Sequence, residues 1–100
     1  MIYITQLIYI NENQEDIFNE FESHAIPIIP KYNGELVIRV RPSENDFIEI
    51  SIEKPYEIHI IKFESEFDFK CFMEDEERKS FIHLKEKSIK ESFLIKGLKL

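Results

Sequence analysis

A chain of 100 residues that is 43% apolar and carries nine Phe and four Tyr is long enough for one hydrophobic core and too short for two. Twenty acids against thirteen bases leave a formal charge of −7, which opposes the exchange of counterions for Lys and Arg on which phosphate-backbone binding depends, so neither nucleic acid nor an anionic membrane is expected as a partner. The single cysteine, Cys71, cannot form an internal disulfide, and the chain opens on alternating Ile and Tyr rather than on a basic leader; both predict a soluble, cytoplasmic protein with one domain over residues 1–100.

Ile2 to Ile10 reads as a first strand that is apolar on both faces, with Ile2, Ile4, Ile8 and Ile10 on one side and Tyr3, Leu7 and Tyr9 on the other. Asn11 to Asn13 supply turn chemistry, and a helix is predicted from near Asn13, with Ile17, Phe21, Ala25 and Ile28 as its apolar stripe and Phe18 and Ile29 widening it. Pro27 should loosen that helix and Pro30 end it, after which Asn33 and Gly34 tolerate the positive φ of a turn. Glu35 to Arg41 alternates Leu36, Ile38 and Val40 against Glu35, Val37, Arg39 and Arg41, predicting a strand with one apolar and one mixed face. Phe47 to Ile52 is a further extended stretch, either a hairpin partner or a lengthening of the sheet. Tyr56 to Phe63 is a strand with apolar residues on both sides. Ser65 caps a helical region carrying Phe69, Phe72 and Met73, interrupted at Glu74 to Glu77 and resumed with Phe81, Leu84 and Ile89; Ser92 to Lys96 closes the chain as a strand ended by Gly97.

The predicted order is therefore strand, helix, strand, strand, helix pair, strand. This is the α+β, ferredoxin-like βαββαβ arrangement, an antiparallel sheet with its helices on one face. Strands that are apolar front and back leave the far face greasy, a patch larger than monomers usually expose. Covering roughly 800 Å² per subunit is the ordinary size of an interface. A homodimer is the expected assembly.

Phe21, Glu22, His24, Ala25, Pro27 and Ile28, followed by Tyr32, Asn33, Gly34, Glu35 and Arg39, resemble the first helix and following strand of the thirteen-thirty family of domains of unknown function, in the dimeric α+β barrel superfamily. Pro55 to Ile58 leading to Phe63, Ser65, Phe69 and Phe72, then Asp75, Glu77, Arg78, Leu84 and Ile89, are similar to the family's second half. The turn departs from the pattern, reading Asn33 Gly34 in place of two glycines. The resemblance implies a homodimer whose sheets face each other around a cavity, and it implies no reaction.

No phosphate-cradling glycine loop, nucleophile elbow or paired histidine at zinc spacing is present, and neither a metal nor a cofactor is expected. His24, at the edge of the first helical stripe, and His59, among aliphatics on the third strand, are the candidate acids or bases. Each is balanced by a structural role, at a helix boundary or within an interface. Arg39 and Arg41 could bind a carboxylate or phosphate, or pair with Glu35 or Glu57; Tyr3 and Tyr9 could line an apolar pocket or fill the core. Two functions follow: a small-molecule-binding or accessory protein without activity, or a cofactor-independent oxygenase or isomerase acting on a small aromatic or polyketide-like substrate in the dimer cavity. A haem-handling role lacks any recognisable ligation motif.

Overall fold

A computed structural model describes residues 1–100 and shows the expected α+β, ferredoxin-like architecture. Strand β1 (Ile2–Ile10) lies at the centre, paired antiparallel with β3 (Glu57–Phe63) on one side and β4 (Ile89–Gly97) on the other; β2 (Gly34–Val40) pairs antiparallel with β3, giving the order β2-β3-β1-β4. Helices α1 (Glu15–Ala25), α2 (Glu66–Met73), α3 (Glu76–Ser80) and α4 (Ile82–Ser88) cover one face. The overall extents of 36 × 35 × 16 Å leave room in thickness for one helical layer on one sheet.

Several local expectations are corrected. Asn13 takes a left-handed φ of 63° and belongs to the turn, so α1 starts two residues later, at Glu15. After Ala25 the chain tightens into a 3₁₀ helix over Ile26–Tyr32 that carries both prolines, Pro27 in its first turn, where no donor is needed, and Pro30 inside it. Asn33 alone supplies the positive φ that turns the chain into β2, since no glycine has φ above zero. Gly34 is small for another reason. A Cβ there would sit 2.6 Å from the Phe63 ring and 2.7 Å from Ile29, so the start of β2 is pressed against the core with no space for a methyl group. The second helical region is three pieces, not two, capped by Ser65, whose Oγ accepts from the Asp68 amide at 3.1 Å, and by Asp75, whose carboxylate accepts from the Arg78 amide at 2.8 Å. Ile89 is the first residue of β4, not the end of a helical stripe.

Phe47 to Ile52 forms no strand. That segment arches outside the sheet, held where the Tyr9 hydroxyl donates to the Glu53 carbonyl at 2.7 Å, Lys54 Nζ to the Pro42 carbonyl at 3.2 Å and the Tyr56 amide to the Ile8 carbonyl at 2.8 Å.

The register of β2 decides where its side chains go. Leu36 pairs with Ile61 and Ile38 with Ile60, so Val37 is an extra residue, a β-bulge. The bulge separates Leu36, which packs on the helix-side core, from Ile38 and Val40, which turn to the opposite face; Arg39 and Arg41 are swung toward the helices. One expected apolar face is thereby divided between two sides of the sheet.

The helix side holds two apolar clusters. Ile4, Ile28, Ile29, Ile61, Phe63, Phe69 and Phe72 form the larger, and Phe21, Ala25 and Leu84 the smaller. The other face carries Leu7, Ile58 and Ile60, half-buried, beside the exposed Ile38, Val40, Phe93 and Ile95.

Candidate functional site

Side chains on a strand alternate, so the helix-facing set of β3 is Glu57, His59, Ile61 and Phe63. All four are buried, Glu57 completely. An ionisable pair therefore occupies one end of the row and apolar side chains the other. A buried carboxylate is tolerated only when its lone pairs are met. Here Arg39 Nε donates to Glu57 Oε2 at 2.9 Å, Arg41 Nε donates to Oε1 at 2.6 Å, and His59 Nε2 donates to Oε2. Arg41 also reaches Asn19 of α1 and lies over the Tyr56 ring, 5.0 Å from its centroid. Burial alone would raise the Glu57 carboxyl, but hydrogen bonds from His59, Arg39 and Arg41 outweigh it and hold the group at about 2. The carboxylate is ionised throughout the neutral range.

With Nε2 committed to Glu57, Nδ1 is the nitrogen that His59 can offer elsewhere. His59 lines a cavity of about 40 Å³ between the sheet and the helices, walled from both apolar clusters. Its polar lining is Gln6, Glu22, His59, Arg78, Lys85 and Ser92; the other eleven of the seventeen residues are apolar. Glu22 is buried on α1, and that burial pushes its carboxyl above the ordinary value, with the His59 charge acting the other way. Arg78 and Lys85 are pulled down by burial, each with Glu22 opposing the shift. No three His, Cys, Asp or Glu side chains converge as metal ligands.

The sequence-predicted residues are distributed unevenly around this cavity. His59 lines it. Arg39 and Arg41 stand behind it, both spent on Glu57, which is the pairing alternative weighed for them. His24 lies outside, stacked on Phe81 with ring centroids 3.8 Å apart and planes 2° apart. Tyr3 and Tyr9 do not line it: Tyr3 is on the opposite face, and the buried Tyr9 packs edge-on to Phe93 and bonds to Glu53. Glu22, Arg78 and Lys85 line the cavity without any sequence motif that marks them for chemistry. Glu22 could have been found by helical spacing, because Phe18, Phe21, Glu22 and Ala25 fall at i, i+3, i+4 and i+7 and are the buried residues of α1.

No family model matches this chain, and no curated protein matches it. Solved structures do. A protein of unknown function from Rhodopseudomonas palustris superposes with a TM-score of 0.85 at 14% identity, covering 99% of this chain and 82% of that one. A dimeric protein of unknown function with a ferredoxin-like fold from Bacteroides fragilis gives 0.70 at 10% identity over 96% and 93% of the two chains. A dabb family protein with a ferredoxin-like fold from Mesorhizobium loti gives 0.68 at 12% identity over 99% and 96%. These likenesses establish the fold: the chain is a ferredoxin-like α+β protein.

Proposed function

We propose that the protein is a homodimeric small-molecule-binding protein whose ligand enters the cavity between the sheet and its own helices. The observation that carries this reading is the convergence of His59, Glu22, Arg78 and Lys85 on one small, otherwise apolar cavity. This site is on the far side of the sheet from the face a second copy would cover, so the ligand site and the dimer interface are separate surfaces. The dimer reading rests on the apolar far face, where Ile38, Val40, Phe93 and Ile95 are exposed beside Ile58 and Ile60, and is supported by the dimeric Bacteroides fragilis neighbour. Fragment screening by ligand-observed NMR tests the cavity: binding should be abolished by Ala25→Met, which fills the space, while the fold is retained by circular dichroism. Undiminished binding by that variant refutes the location.

A second reading, a cofactor-independent isomerase or oxygenase, is favoured by one specific feature. Glu57 fixes the His59 ring through Nε2, the arrangement by which a carboxylate orients an imidazole as a base. Turnover of small phenols, quinones or lactones that is lost in His59→Gln would support it. Equal turnover in the variant would remove it.

A further inference from the structure

Arg78 is the only buried Lys or Arg in the chain, and no carboxylate lies within salt-bridge distance of it. Its guanidinium makes one long hydrogen bond, Nη1 to the Met73 carbonyl at 3.4 Å, and Nε is buried without an acceptor. The Phe72 and Phe21 ring faces, 5.2 and 6.0 Å away, supply only the diffuse attraction of a π-system. Buried guanidinium groups are ordinarily met by a planar, bidentate anion. Lys85 brings a second cation to the same cavity, whose lining holds one acid, Glu22. The cavity is thus short of negative charge, in a chain that otherwise has an excess of it.

The geometry points to a small monocarboxylate with a short apolar tail as the cavity's ligand, its carboxylate on Arg78 and its tail between Phe21 and Phe72. This rests on the cavity being the ligand site. A monocarboxylate places both oxygens on the Arg78 fork and an apolar tail against the eleven apolar lining residues, whereas the further oxygens of a phosphate would find few donors there. The volume of about 40 Å³ restricts the ligand to a handful of non-hydrogen atoms.

The test is calorimetric titration of the full chain with butyrate, its neutral analogue butyramide and inorganic phosphate, alongside the side-chain N–H resonance of Arg78. Butyrate should bind roughly tenfold or more tightly than butyramide and shift the Arg78 signal, as expected for a charge-assisted hydrogen bond over a neutral one. R78M should lose that preference and R78K keep part of it. The comparison of butyrate with butyramide on the unaltered protein decides the matter even if R78M fails to fold. Equal binding of the two refutes the anion assignment while leaving the cavity reading intact. Phosphate displacing butyrate at equal concentration refutes the carboxylate class. Neither butyrate nor butyramide binding, with Arg78 bonded to water alone, overturns both readings.

Discussion

Glu57→Gln is the most searching perturbation of this fold, because it replaces a fully buried carboxylate by an isosteric amide under three donors. The carboxyl is held at about 2, against an ordinary 4.5. That difference, 4.5 − 2, corresponds to about 3 kcal/mol of interaction favouring the ionised form, and discounting the partly exposed Arg39 and Arg41 for solvent screening brings it to roughly 2–3 kcal/mol. A group whose folded value is depressed contributes stability above its unfolded value, so the contribution is complete at pH 7 and is lost as pH falls from about 4.5 through about 2. Expressed as melting temperature in a domain of this length, E57Q should fall by roughly 10–20 °C at pH 7. Urea titrations at fixed protein concentration should then show the wild-type advantage shrinking across the acid window, with the two proteins converging near its lower end. Equal stability of the two at pH 7, or parallel acid slopes, would refute the reasoning.

Gly34→Ala should cost about 1–3 kcal/mol through overpacking against Phe63 and Ile29, visible as a lower melting temperature. Asp75→Ala removes an acceptor for both the Arg78 amide and the Tyr32 hydroxyl, the latter at 2.5 Å, and should cost about 1–3 kcal/mol in denaturant titration, with Tyr32→Phe costing less. Ile60→Lys places a charge in the far face beside Ile38 and should shift the light-scattering mass from two copies toward one without altering the circular dichroism. Deleting Val37 removes the extra residue while keeping the pairs Leu36–Ile61 and Arg39–His59, so Arg39 and Arg41 should still reach Glu57 and the acid slope of the urea titrations should persist.

The order of elements was legible in the sequence because each has a clear period: β1 spans Ile2–Ile10 as read, and the helix-side row of β1 follows from strict alternation. The apolar stripe is legible, since Phe18, Phe21, Ala25, Ile28 and Ile29 are all buried and Ile17 half-buried, while Glu22, an acid, does not advertise itself as buried. The bulge left no mark, having neither glycine nor proline. Phe47 to Ile52 has strand-like residues but no neighbour to pair with, and the contacts of Glu53, Lys54 and Tyr56 hold the arch at its end. Arg78 entered only within a family-like string of residues. The lack of an ion pair to its guanidinium is a property of tertiary placement, which no local pattern records.

The surplus residue in β2 bears on how structures of the same fold should be matched. At the 10–14% identities seen here, a one-residue gap near Val37 is easily smoothed away in an alignment. Yet in this sequence it is the bulge that aims two arginines at a buried acid. What a neighbour must share to have this interior is the pairing of its arginine with the position of His59, which a chain one residue shorter reaches with a straight strand.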